Sequence, residues 1–370
     1  MNLTYFKANF TIARKAKKNI LLVSFLIIFS VLFLFVVELQ RIGDGAVEWQ
    51  AYNQSLDINM DYFDNSSLRK KTYRATYNNL SAQKASIALI QNSEVFNSPK
   101  DYLQSMTNLN EEMLKGYRTH YRGAYSLVVP PKFELQQRLV TYRYLARHKI
   151  PIVMNDKSSA TYVIYLLSIF GIFMFFYLLL LAADSWMMNL NHPTLLKNIP
   201  YLIRDEIRGK IAINLVLTLV PLIVAVILAY LFAGLRNSFS SLSYPVVFYL
   251  NKISAIALWQ YFLIFLLYTI AFGIFITCLA MFLNQLLKNV YLTILVGSVV
   301  YVLSFLPGKI LRYLCFLPSA YVNIGNVLSG TIAKQTGLSY LNAVSAIVIL
   351  LLWAGTFALL FRWSVGRAAK

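Results

Sequence analysis

The chain has 370 residues, of which 58% are hydrophobic and only 13% charged, about half the charge of a soluble domain. That balance excludes a soluble enzyme and a disordered tail, and two cysteines exclude a disulfide framework. The net charge of +19 belongs, in so hydrophobic a chain, to basic segments beside anionic lipid rather than to nucleic-acid binding.

In chain order, residues 1–19 carry Leu3, Phe6, Phe10 and Ala13 at helical spacing, opposite Lys7, Arg14, Lys15, Lys17 and Lys18. This pattern predicts an interfacial amphipathic elbow helix whose basic face meets anionic lipid. Six uncharged apolar runs follow, at 20–37, 161–183, 211–235, 253–287, 290–308 and 338–361. Each is long enough to cross the hydrocarbon core, which takes about 18 residues or more. None alternates like a barrel strand, so helices are expected. The first run is expected to remain as an anchor, because no small-residue cleavage site follows it. The boundary between the fourth and fifth runs rests on Asn284, Gln285, Lys288 and Asn289. The predicted fold is thus an all-α polytopic membrane protein with six transmembrane helices.

With the N-terminus inside, the short inside segments hold thirteen Lys and Arg and the two short outside loops hold five. The positive-inside rule therefore places both termini in the cytoplasm. The long segment 38–160 is then extracellular. It carries sixteen basic and twelve acidic residues and ten tyrosines. One helical stripe, Tyr73, Tyr77, Leu80, Ile87 and Ile90, starts after Asn65-Ser66-Ser67. A second, Phe133, Gln136, Leu139, Tyr142 and Leu145, runs between Pro131 and Pro151, and a weaker one covers 100–117. These predict a small extracellular helical domain. A five-helix bundle is expected over 161–361, with a cytoplasmic tail at 362–370.

The catalytic vocabulary is thin. There is no H-E-x-x-H, none of the three histidines shares a run with a nucleophile, and no Asp or Glu lies inside any run. An ion-coupled pathway would use such intramembrane groups. Gly209-Lys210 and Gly308-Lys309 are each followed by Ile, so neither is a P-loop. No catalytic, cofactor-binding or metal-binding residue is expected, and any ATP hydrolysis belongs to a separate chain.

The segment 184–210 is the most informative. It reads Asn191-His192-Pro193-Thr194-Leu195-Leu196-Lys197-Asn198-Ile199-Pro200-Tyr201-Leu202-Ile203-Arg204-Asp205-Glu206-Ile207-Arg208-Gly209-Lys210. Leu202, Ile203 and Ile207 are expected to face one way and Arg204, Asp205 and Arg208 another. An amphipathic element with an acidic-basic tip is suited to docking a soluble partner.

Here the sequence resembles the permease subunits of ABC-2 type exporters, in the variant with a large extracellular domain between the first two helices. Those chains combine six helices, an elbow helix and a cytoplasmic loop of the form T-L-x-x-L-L-x-x-P-I-S-R…G-K. Thr194-Leu195-Leu196, Pro200 and Gly209-Lys210 occupy comparable places. His192-Pro193 and Tyr201-Leu202-Ile203-Arg204 depart from the pattern. The segment Phe316-Leu317-Pro318-Ser319-Ala320-Tyr321 is similar to the re-entrant half-helices of related chains. The resemblance implies an exporter of an amphipathic peptide, antibiotic or lipid-like cargo in the plasma membrane. It implies a second permease chain and an ATPase subunit docking at Thr194, Leu195, Leu196, Pro200, Arg204, Asp205, Glu206 and Arg208. A competing expectation is a membrane sensor or scaffold whose outer domain detects a peptide or envelope signal.

Overall fold

The computed structural model describes residues 3–40, 45–64, 69–153, 157–191 and 203–368. Five helices are long and apolar enough to cross a membrane: α2 (Lys17–Leu39), α7 (Ser159–Ala182), α9 (Ile203–Arg236), α10 (Leu258–Leu287) and α15 (Ala343–Ala368). The chain is accordingly a mostly helical membrane protein. α1 (Leu3–Lys15) precedes them, and Ala16 in an extended conformation breaks it from α2. Phe6, Phe10 and Ala13 pack against the protein core, while Lys7, Arg14 and Lys15 are exposed. The apolar face expected in the headgroup region therefore rests in part on α2 and α9.

Between α2 and α7 stand α3 (Gly45–Met60), α4 (Lys71–Val95), α5 (Pro99–Gly116) and α6 (Lys132–His148). α4 packs on α3 and α5, and α5 on α6. The predicted stripes map onto α4, α5 and α6. Leu80, Ile87, Ile90, Leu139 and Leu145 are buried as expected. Gln136 is exposed and Leu135 takes its place in the seam. α3 was not anticipated, although Trp49, Tyr52 and Leu56 are buried along it.

The run 253–287 is not a single helix, and the fold is not wholly helical. Pro245–Leu250 (β1) and Lys252–Ala257 (β2) form an antiparallel hairpin, registered from Pro245↔Ala257 to Leu250↔Lys252. Val246, Val247, Ile253 and Ile256 are β-branched and fit a pleated surface. Asn251 turns the tip at φ +61°, a left-handed conformation that Asn tolerates. Hydropathy alone absorbed β2 into the helix behind it. α6 lies against both strands.

α10 ends where the sequence marked it. Lys288 is left-handed (φ +49°), and the Asn289 carboxamide accepts from the backbone N–H of Tyr291 (2.8 Å) and Leu292 (3.2 Å). This caps α11 (Val290–Val302). α11 is shorter than the predicted run 290–308. One 3-10 turn, Leu303–Phe305, follows it, and Pro307 then imposes an extended Leu306. Four short turns of helix come next: α12 (Gly308–Leu311), the 3-10 turn Pro318–Tyr321, α13 (Ile324–Leu328) and α14 (Thr331–Thr336). α13 sits on α7 at Gly171, where an added Cβ would lie 2.7 Å from the Gly325 nitrogen. α15 starts at Ala343 rather than 338. The Asn342 side chain accepts from the N–H of Val344 (3.0 Å) and Ser345 (3.2 Å) and fixes that start.

Candidate coupling site

α2 and α9 run opposite to α7, α10 and α15, so the N-terminal end of α2 and α9 meets the C-terminal end of α7, α10 and α15. The described part of the chain that follows α7, residues 183–191, lies here. The last carbonyls of α7 have no partner within their own helix. Lys18, in the first turn of α2, supplies one: its Nζ donates to the carbonyls of Leu180 (2.9 Å) and Leu181 (3.4 Å) and to Asp184 Oδ1 (2.5 Å). A cation at a helix C-terminus also meets the negative end of the helix dipole.

Trp186 is buried against Phe361 of α15 in an edge-to-face contact at 4.7 Å between centroids. Its indole N–H donates to Gln285 Oε1 of α10 at 2.9 Å. Asn214 of α9 donates to Ser185 Oγ (3.1 Å) and Thr277 Oγ1 (3.2 Å). In α8 (Met187–Asn191), Asn189 donates to Glu206 of α9. The stretch 184–191 is thereby fastened to α2, α9, α10 and α15 at once. Side-chain hydrogen bonds tie it to α2, α9 and α10, and ring packing ties it to α15.

Four of the eight expected docking residues, Thr194, Leu195, Leu196 and Pro200, lie outside the described residues. The other four sit on the first two turns of the 34-residue helix α9 rather than on a separate element. Arg204 and Arg208, four residues apart, are exposed on one face. Neither makes an ion pair among the described residues. Asp205 and Glu206 are half-buried, where first-turn acids complement the positive helix end. Ile207 faces inward as expected, but Ile203 is exposed and does not share its side.

Lys18, Trp186, Asn189, Asn214 and Gln285 escaped sequence reasoning as parts of this site. Lys18 counted only as one more inside charge, and Asn214 lay within an apolar run. Gln285 marked a boundary, and nothing in the sequence pairs it with Trp186. Compared with known proteins, the chain matches no family model, no curated protein and no solved structure.

Proposed function

We propose that this chain is the membrane-spanning subunit of an ATP-binding-cassette exporter of the ABC-2 type. It moves an amphipathic cargo outward, pairs with a second permease chain and draws energy from a separate ATPase subunit. The observation that carries the reading is the anchored stretch 184–191 beside two exposed arginines, Arg204 and Arg208, that make no ion pair among the described residues. A transporter driven from outside the membrane needs a stiff lever between its motor and its helices, and this stretch has that form. The elbow helix α1, packed on α2 and α9, supports the same reading. In it α11 is a sixth, short membrane segment, both termini are cytoplasmic and the unit α3–α6 is extracellular.

Charge reversal tests it. Arg204→Glu with Arg208→Glu should weaken ATPase association and sharpen its salt dependence, while the protein still inserts. Cargo efflux from proteoliposomes should then fall with the ATPase present and be absent without it. Efflux from the single chain under a pH gradient alone would defeat the assignment. Unchanged co-purification and export in the double variant would remove the docking role from α9.

The sensor reading is favoured by one observation. The α3–α6 unit has an apolar cleft of about 780 Å³, more than a packing scaffold needs. A sensor requires no ATPase, so absence of any ATPase partner in a native pull-down, with ligand-dependent signalling, selects it.

A further inference from the structure

An apolar cavity opens between α5 and α6, far in sequence from the coupling site. Carbon from Leu103, Leu145, Ala146, Ile150 and Ile152 lines it, and no aromatic ring does. Its volume, about 780 Å³, falls in the range of small-molecule sites, about 300–1,000 Å³. Only three neutral polar side chains reach it, Gln104, Thr107 and Asn108. The Thr107 hydroxyl is already spent on the Leu103 carbonyl at 2.7 Å.

The two charged residues lining the cleft are both lysines, Lys100 and Lys149. Both are exposed, and neither makes an ion pair among the described residues. Lys149 holds a further anomaly. It ends α6 in the left-handed region at φ +53°. The N–H of Ile150 returns to the Leu145 carbonyl at 3.1 Å, the closure of a Schellman end. That position is normally glycine, because any side chain there is strained. A lysine occupies it, on the edge of an apolar cleft whose wall includes the same Leu145 and Ile150. Strained positions of this kind gather at ligand sites.

We propose that this cleft binds a single-chain anionic lipid, its acyl chain along the α5–α6 wall and its acidic head between Lys100 and Lys149. A peptide fits less well. Its backbone would bring buried amides to a wall with few partners, and each unpaired amide is costly. An acyl chain brings none. An acid head complements two cations that make no ion pair among the described residues. That such a lipid is also the cargo rests on the export reading; the binding itself does not.

The test uses the full-length chain in nanodiscs of neutral lipid, with a diazirine-bearing palmitate as probe and mass spectrometry to place the label. Labelling of residues 99–108 and 145–152 should saturate. Unlabelled palmitate should compete it down at least fivefold, and the glycerol monoester of palmitate should not. Lys149→Gly relieves the left-handed strain, so it should melt no lower than the native chain, yet lose at least fivefold in labelling. Lys100→Ala should add to that loss. Label confined to the membrane helices would overturn the site. Equal competition by the neutral monoester, or full labelling in the Lys100→Ala, Lys149→Gly variant, would overturn the role of charge. No ATPase is present and no transport is read, so failure here leaves the export reading intact, and failure of export leaves this result intact.

Discussion

The α3–α6 unit and the membrane bundle solve the same problem in opposite ways. Inside the unit, polar side chains bond to one another along α4 and from it to α3, α5 and the turn after α5. Gln83, fully buried, accepts from the Tyr52 hydroxyl at 2.6 Å and donates to Asn79 Oδ1 at 2.8 Å and to the Tyr121 hydroxyl at 3.3 Å. Asn79 in turn donates to the Glu112 carbonyl at 2.9 Å. In the bundle, buried hydroxyls fold back on their own helix. Thr218 donates to the Asn214 carbonyl, Thr269 to Phe265 and Thr277 to Gly273, each at 2.8 Å. Contacts between bundle helices are mostly aliphatic and aromatic carbon and tyrosines that reach backbone carbonyls, with isolated side-chain pairs, Asn214 with Thr277 and Thr293 with Asn284, rather than a connected network. The difference teaches where specificity comes from. A side-chain network accepts one packing, because a displaced helix strands several polar groups at once. Carbon packing tolerates small sliding, which suits the proposed transport role.

The largest effect should come from the apolar part of the unit. Leu80 is wholly buried. Leu80→Ala should destabilise the unit by about 2–5 kcal/mol, the usual cost of truncating a core leucine. Hydrogen exchange on the full chain should show α4 and α5 opening while α10 and α15 keep their protection. Loss of protection in both regions together would mean that unit and bundle unfold as one, and the contrast drawn above would fail.

The polar network should come next. Gln83→Leu keeps the volume but strands the Tyr52 hydroxyl and the Asn79 carboxamide, costing about 1–3 kcal/mol. The same network gives the unit an alkaline limit. Burial pushes the Tyr52 and Tyr121 hydroxyls well above the ordinary tyrosine range. The native unit therefore keeps protons that the unfolded chain releases, and stability falls as pH rises. It should be full below pH about 10, the unfolded tyrosine value, and decline above it. Tyrosinate absorbance should lag behind free tyrosine until the unit opens, then rise together with loss of α4 protection. Tyrosines that titrate freely while the unit stays folded would show that the network is open to water.

How much of this was legible follows from the same contrast. The stripe Tyr73, Tyr77, Leu80, Ile87 and Ile90 revealed α4, because a water-facing helix must separate its apolar residues onto one side. α3 buries Trp49, Tyr52 and Leu56, spaced three and four apart, and this signal was present but diluted by Gln50, Asn53, Gln54 and Asp57. In the bundle, hydropathy found the five long helices but not their ends. Lipid and protein interior are equally apolar, so β2, the short α11 and the late start of α15 all read as continuous hydrophobic runs. Their true limits depend on Asn251, Pro307 and Asn342, single residues whose effect is conformational. Of the candidate site, Arg204 and Arg208 were legible as exposed charge. The fastening of Trp186 to Gln285 and Phe361 was not, because residues so distant in sequence meet only through the fold.

The smallest expected effect lies in the bundle and sharpens the comparison most. Tyr268 of α10 is fully buried and donates its hydroxyl to the Tyr321 carbonyl at 2.6 Å. It ties the 3-10 turn Pro318–Tyr321 to the bundle. Tyr268→Phe removes the hydroxyl and leaves the ring, which stays packed edge-on to Phe272 at 6.4 Å. The lost bond should cost about 1 kcal/mol, less than Gln83→Leu, because one acceptor is stranded rather than a chain of groups. Thermal unfolding in detergent should register a small drop, and hydrogen exchange should rise in residues 318–328 alone. If Tyr268→Phe proved the costlier of the two, the bundle would be the region pinned by polar bonds. Its helices would then be held by specific bonds rather than by carbon packing that lets them slide.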